Sequence, residues 1–414
     1  MIFYNKALEI LKKNKIDIKA EIILSRDSIN RISAANINSP NDYPLANNTA
    51  FDGFAVNSKE TNNINNNGRK FKIIRVIAAG DNPKIKKIPK YSSIEVMTGA
   101  IIQKPFDTVI PIENIKYHPN KNKPNYIVIN NKIKKNNFIR FAGSDYKKGE
   151  IILKKGQVIQ PNHILAFKTL GIEKILVKKK PKIVFYATGN EITNSNKIPF
   201  WKVRNSNAYY LKSFLKNFPV EFIEKRILRD KEQKKFKKEI NKNLSNNTDI
   251  VITSGAVSAG KFDFVPEIIK QFKLKKYFKG VAIRPGKPIM FSRFKKNMVF
   301  FGLPGNPVAV MVTFYQLLNY ALCTLMGESD PRTTPMLKVR CCSNLSKKAG
   351  RTEFYRGILS PNEKGELEVS KTNKQGSGVL HSMSAANCFI VLDDECEKIE
   401  PGNVVKVQPF FGLV

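Results

Sequence analysis

The chain is poor in the residues that build soft-metal centres, disulfide frameworks and membrane spans. Histidine occurs three times in 414 residues. The five cysteines, Cys323, Cys341, Cys342, Cys388 and Cys396, all lie in the C-terminal part with no Cys-x-x-Cys spacing, so they read as reduced and mostly structural. No apolar run approaches the length needed to cross a bilayer. Residues Met1 to Lys12 lack the positive, apolar, small-residue order of a secretory signal, so a cytoplasmic protein with no membrane partner is expected. Acidic residues are also scarce, 34 against 71 Lys and Arg, for a formal charge of +37.

Such a charge raises nucleic acid or an anionic surface as a partner. Its distribution argues against both. Lysines are spread along most of the chain beside heavy use of Asn and Ile, as in Asn62 to Lys72 and Lys231 to Asn247, the composition a low-GC coding bias produces. No concentrated Arg/Lys face with interleaved aromatics stands out, so no specific nucleic acid partner is expected. A positive field still draws in small anionic substrates.

At this length one core is not enough, and about three or four domains are expected. A helical spacing at Ala7, Leu8 and Leu11 predicts a first amphipathic helix. Asn48 to Val56 reads as an Asp-Gly turn running into a short strand, from Phe71 to Ile112 short strands alternate with Gly, Pro and Asn turns, predicting a small β-rich domain, and Tyr117 to Asn137 reads as a surface hairpin. Pro161 to Leu170 reads as a helix with Pro in its first turn. From Lys182 onward strands and helices alternate: Ile183 to Ala187, Ser206 to Phe218, Val220 to Leu228, Asp230 to Leu244 and Ile250 to Thr253, with a helix from about Phe264. That rhythm predicts a parallel α/β domain. After Pro331 short strands return, predicting a small C-terminal β domain or barrel.

The most informative stretch is Asp249 to Asp263. A β-branched strand runs into Gly255, Ser258 and Gly260, whose small side chains let backbone N–H groups approach an anion. Asp249 and Asp263 flank this loop, and two readings stand: a divalent cation held against phosphate, or a strand-to-helix turn capped by its own Ser and Asp. Ligands in such sheets sit at the carboxyl ends of strands, where Thr188-Gly189-Asn190-Glu191 and the loop after Ser254 both fall. Arg284-Pro285-Gly286-Lys287-Pro288 sets two cations about a proline-fixed turn, favouring an anion site. Leu303-Pro304-Gly305-Asn306-Pro307 leads into a helix from Val308 to Leu325. Asp52, in Asn48 to Val56, is either a turn residue or a functional carboxylate. Gly350 to Arg356 gives the last domain a basic edge, and Gln375 to Gly378 is a polar turn that touches a ligand or links strands.

Seven words of the chain, in this order, resemble the molybdopterin molybdenumtransferase family, known in bacteria as MoeA and in animals as the gephyrin E domain. They are Ala50 to Val56, Met97 to Ala100, Gly143 to Asp145, Thr188 to Glu191, Ser254 to Asp263, Arg284 to Pro288 and Leu303 to Val308, so the likeness runs nearly end to end. It implies a multidomain α/β and β chain: a discontinuous linking domain (1–46 and 143–178), a β-rich domain (47–142), a molybdopterin-binding type α/β domain (179–331) and a barrel-like β domain (332–414). It implies a homodimer whose cleft lies between the α/β domain of one subunit and the β-rich domain of the other. The implied substrates are adenylylated molybdopterin and molybdate, with Mg²⁺ assisting and AMP released, and the adenylyltransferase upstream is an implied partner. By the same resemblance Glu191, Asp249 and Asp263 hold the metal. Asp52, Thr98, Asp263 and Lys287 serve the chemistry, and Gly255, Ser258, Arg284, Lys287, Pro304, Gly305, Asn306 and Arg351 bind substrate. The chain departs from the usual pattern at Asn190, Ala256, Arg284 and Ala309, the last removing a hydroxyl donor. The competing functions are the related adenylyltransferase and a non-catalytic scaffold of the same fold. The words at Asp52 and Thr98 favour insertion over the former, and the retained carboxylates argue against the latter.

Overall fold

The computed structural model describes residues 1–62, 64, 68–258, 260, 263–328 and 336–410. They form two units, Asn36–Lys154 with Asn162–Glu173, and Met1–Ala35 with Lys155–Pro161 and Lys174–Val414.

In the smaller unit, Gly/Pro/Asn punctuation cuts the chain into strands β1 (Gly53–Val56), β2 (Arg69–Ile77), β3 (Ser92–Val96), β4 (Thr108–Pro111), β5 (Lys116–His118) and β6 (Tyr126–Ile129), ordered β4-β1-β3-β2-β6-β5. Side chains alternate across a strand, and here both faces are covered. Phe54 and Val56 of β1 join Phe71, Ile110 and Ile127 in one cluster, while Ala55 joins Ile77, Ile94 and Val109 in another. Pro111 is tolerated because β4 is an edge strand, where a missing N–H breaks no ladder. The expected hairpin is present as antiparallel β5 and β6.

In the larger unit the first helix, α1 (Tyr4–Lys13), buries Ala7 and Leu11 four residues apart. The central sheet comprises β7 (Lys182–Ala187), β8 (Glu221–Glu224), β9 (Ile250–Ser254), β10 (Leu274–Lys279), β12 (Met290–Phe294) and β13 (Val299–Leu303), while the two-residue β11 (Ile283–Arg284) pairs elsewhere. The order is β8-β7-β9-β13-β12-β10. Four strands, β8, β7, β9 and β13, are parallel, as the alternating rhythm predicts. The remaining two join through antiparallel pairs, β12 to β13 and β10 to β12, a correction to an all-parallel reading. The link from Phe294 to Val299 is far too short for the crossover a parallel neighbour requires.

Helices cover both faces. Ile183, Phe185 and Ala187 of β7 face α1, α2 (Ser206–Leu215) and α5 (Pro307–Leu325), while Val184 and Tyr186 face α3 (Gln233–Ser245) and α4 (Val265–Lys270). α5 contains a π-helical turn at Phe314–Leu318. Contrary to the expectation that no apolar run nears bilayer length, α5 is 19 residues long with a mean hydropathy of 1.5. It is 89% buried inside the protein, because it packs on the sheet, and its apolar side chains are core.

The C-terminal strands β14 (Leu337–Cys341), β15 (Thr352–Pro361), β16 (Leu367–Lys371), β17 (Cys388–Leu392) and β18 (Val404–Pro409) run in the order β15-β16-β14-β18-β17, and β17 pairs back onto β15. This closes a five-stranded barrel around Val339, Cys341, Val369, Cys388, Ile390 and Val407. β11 adds in parallel to β15, which fixes the Arg284 loop against the barrel. All five cysteines are free thiols.

Candidate active site

Strands β7, β9 and β13 end level with one another, Ala187 opposite Ser254 and Ser254 opposite Leu303. Three loops therefore leave from one edge of the sheet, and specific bonds hold them together. The Gly255 N–H donates to Leu303 O at 3.0 Å, and Ser254 Oγ donates to Pro304 O at 3.0 Å. Gly255 has φ +99°, and a Cβ there would lie 2.7 Å from Thr188 O, so the approach of the first two loops requires glycine. Asn306 caps α5, its Oδ1 accepting from the N–H groups of Val308 (2.9 Å) and Ala309 (3.1 Å).

The Arg284 loop closes onto the same region. At Gly286 a Cβ would meet Thr313 Cγ2 of α5 at 2.5 Å, so the turn carrying Arg284 and Lys287 lies directly on that helix. The result is a cavity of about 500 Å³ lined by Arg284, Lys287, Pro304, Gly305, Asn306 and Arg351, with Ala309 and Ser377. Six substrate-binding residues expected from sequence are thus brought together. Beneath the arginines lies Glu353, only 3% exposed. Its Oε1 accepts from Arg351 Nε at 2.8 Å and lies 3.7 Å from Arg284 Nη1. Arg356, 2% exposed, reaches only neutral groups among the described residues: Ser382 Oγ (3.1 Å) and the carbonyls of Gly376 (3.0 Å) and Lys374 (3.4 Å). Burial, and secondarily the Arg284 charge, pull its pKa below the usual arginine value. Two guanidiniums on one buried carboxylate, with Lys287 in the same lining, leave a net positive site that suits an oxyanion.

The carboxylates assigned to a metal divide. Glu191 folds back over Gly189, where a Cβ would lie 2.5 Å from both of its oxygens, at the carboxyl end of β7. Asp263 follows β9, and its Oδ2 accepts from the Gly260 N–H at 2.7 Å, closing the loop. Ser258 is exposed, and its carbonyl takes Lys279 Nζ at 2.6 Å. Asp249 is a correction: it precedes β9 and accepts from the Lys182 N–H at 2.8 Å at the amino end of the sheet. Five residues of strand put it roughly 16 Å from the loops it was expected to serve. Desolvation raises its pKa, against the bond from Lys182. Among the described residues no three His, Cys, Asp or Glu side chains converge as a metal site. Two carboxylates on adjacent strand loops still match a hard cation that completes its shell with phosphate oxygens and water.

In the smaller unit Asp52 and Thr98 are a bonded pair. Asp52 Oδ1 accepts from the Thr98 N–H at 2.6 Å and from its Oγ1 at 2.7 Å. These two bonds hold the Asp52 carboxyl below its usual pKa.

Sequence reasoning missed several groups. Glu353 and Arg356 sit on a barrel strand whose partners are remote in sequence. Arg229 Nη1 ties the Glu191 loop through the carbonyls of Gly189 (3.0 Å), Asn190 (3.2 Å) and Ile192 (2.8 Å). Asn207 Nδ2 donates to Ser254 Oγ (2.7 Å) and Gly305 O (2.9 Å), pinning the loops after β9 and β13. Asn-Ser-Asn after an α/β strand was the only available signal, and it is diluted in an Asn-rich chain.

Known proteins share this architecture. Residues 2–171 match the MoeA N-terminal region (domain I and II), 185–323 a probable molybdopterin binding domain, and 338–410 the MoeA C-terminal region (domain IV). A molybdopterin molybdenumtransferase of Haemophilus influenzae is 32% identical over 410 residues, covering 98% of both chains. One from Staphylococcus epidermidis is 29% identical, covering 98% of this chain and 95% of the other. The crystal structure of the molybdopterin biosynthesis moeA protein of Pyrococcus horikoshii superposes with a TM-score of 0.82 at 27% identity, covering 99% of this chain and 100% of that one.

Proposed function

The chain belongs to the MoeA family, and from that premise we propose that it is a molybdopterin molybdenumtransferase, an enzyme of molybdenum cofactor biosynthesis that inserts molybdate into adenylylated molybdopterin and releases AMP. The cationic cavity of Arg284, Lys287 and Arg351 carries this reading, since both substrates are anions and both need charge neutralised where bonds change. In the proposed reaction water attacks the phosphoanhydride, and AMP leaves while molybdopterin keeps its own phosphate. The two dithiolene thiols bond to molybdenum, and their protons leave with one molybdate oxygen as water, with no change of oxidation state.

Within this scheme Lys287 and Arg284 hold the oxyanion, Ser258 faces the phosphates with its hydroxyl donor, and Gly255 lets its loop approach them. Arg351 is held in place by Glu353. Glu191 and Asp263 would hold Mg²⁺, which supplies charge neutralisation on the leaving phosphate. Asp52 and Thr98 are proposed to act from a second copy, making a homodimer with a shared site. The enzyme is proposed to work in the cytoplasm and to receive its substrate from the upstream adenylyltransferase. Lys287→Gln is expected to raise the molybdate concentration for half-maximal AMP release at least tenfold. An unchanged requirement overturns the assignment of the cavity.

A further inference from the structure

A second cavity, of about 230 Å³, lies between the Arg284 to Pro285 turn, residues Glu353 to Arg356 of β15 and the Gln375 to Gly376 turn. Only Arg284 and Pro285 line both it and the cationic cavity. Arg356 borders it from a position 2% exposed. Its Nε and Nη2 are taken by Ser382 Oγ and the carbonyls of Lys374 and Gly376, while its Nη1 has no partner among the described residues and is not sealed from solvent. That nitrogen is open to the cavity. No neighbouring polar group supplies a counter-charge. Gln375 commits its amide to the backbone of Arg356 and to Thr372, and the Tyr355 hydroxyl donates to Ser346 O at 2.6 Å. Glu353, the one carboxylate in the lining, is held by Arg351 through Nε at 2.8 Å and Nη2 at 2.7 Å. The charge that does reach Arg356 is Arg284, of the same sign.

A guanidinium taken out of water without a counter-ion is costly, and a second guanidinium beside it raises the cost. An anion between the two removes both penalties. We propose that this cavity is a binding site for one small monovalent anion, a halide or a carboxylate, seated between Arg356 Nη1 and the Arg284 guanidinium. The charge count sets the valence: the lining carries two cations against one carboxylate, so a single negative charge neutralises it and a dianion overshoots. The cationic cavity differs, with Arg284, Lys287 and Arg351 in its lining and no carboxylate. Room does not limit the occupant, since one water needs only about 10–15 Å³ of such space. The ligand is not the substrate oxyanion, and the inference is independent of the proposed reaction. Because Arg284 borders both cavities, the bound anion holds that side chain from the barrel side.

The test uses the full-length protein with sulfate present to fill the cationic cavity. Crystals grown in bromide, and others in acetate, should show the anion between Arg356 Nη1 and Arg284, the bromide by its anomalous scattering. In solution, replacing a bulky sulfonate with either anion at constant ionic strength should raise Tm saturably by about 2 °C. A rise with acetate alone identifies a carboxylate, a rise with bromide alone a halide, and a rise with both a site that selects by charge. Arg356→Met should abolish the rise. If that variant fails to fold, the wild-type maps still decide. Neither anion at Arg356, sulfate there in their place, no rise over the sulfonate, or an Arg356→Met variant that responds like wild type overturns the proposal.

Discussion

Glu353 holds Arg351 through a single carboxylate oxygen, with Nε at 2.8 Å and Nη2 at 2.7 Å, from a position only 3% exposed beneath an open cationic cavity. One buried carboxylate thus orients a substrate-facing cation and leaves that cation's outer face for an anion. Glu353→Gln keeps the volume but removes the charge from these bonds. A loss of about 2 kcal/mol in unfolding free energy is expected, the scale of a hydrogen bond to a charged group. Denaturant melts with unchanged midpoint would show that Glu353 does not anchor the arginine.

The Asp52 to Thr98 bonds give a pH dependence with a definite sign. The folded pKa of Asp52 lies below 3.8, so its contribution is present above that value and is lost as pH falls through the folded pKa. Thr98→Val removes the hydroxyl and keeps the N–H, and carboxyl NMR should show Asp52 moving part of the way back up toward 3.8. No movement would mean that the backbone bond alone sets the shift.

Ala256 sits at φ +52°, in the left-handed region, where the family's usual residue is glycine. An L side chain there costs about 1–2 kcal/mol, offset in part by the greater unfolded-state freedom of glycine, about 0.4–1 kcal/mol. Ala256→Gly should therefore stabilise the protein by about 0.5–1 kcal/mol in denaturant unfolding. A destabilised variant would contradict this account of the loop.

Lys234, Lys235, Lys237 and Lys238 all lie exposed on α3, spread around a helix that buries only Phe236 and Ile240 near them. Replacing the four with Gln should reduce retention on duplex DNA, which itself should be sequence-blind and steeply lost with salt. Turnover at saturating substrate should not change. A salt-resistant, sequence-selective DNA complex would mean that the positive charge has a dedicated partner.

Much of this was legible in sequence because the relevant signals are local. Strand β7 runs from Lys182 to Ala187, one residue longer than the β-branched and aromatic run Ile183 to Ala187 implies, and loops at strand carboxyl ends do gather in one region. The Asp249 error came from treating nearness to a loop in sequence as nearness in space. A residue before a strand lies at its opposite end, so the strand's own length separates them. The antiparallel β12 and β13 pair was hidden because apolar runs do not declare direction; only the short link between them does. Glu353 and Arg356 were illegible for a different reason: the pairing of β11 with β15 brings Glu353 to Arg284, and the chain after β16 returns to set the Gln375 turn against Arg356. Asn207 was masked by abundance, since one informative asparagine looks like every other in this composition.

The most direct test of the central claim is AMP release by the purified protein given adenylylated molybdopterin, Mg²⁺ and molybdate. The account predicts AMP production that requires molybdate and falls at least a hundredfold in a folded Asp263→Ala variant, the order expected when an electrostatic contribution to the transition state is removed. AMP release that is indifferent to molybdate, or undiminished in that variant, would contradict it.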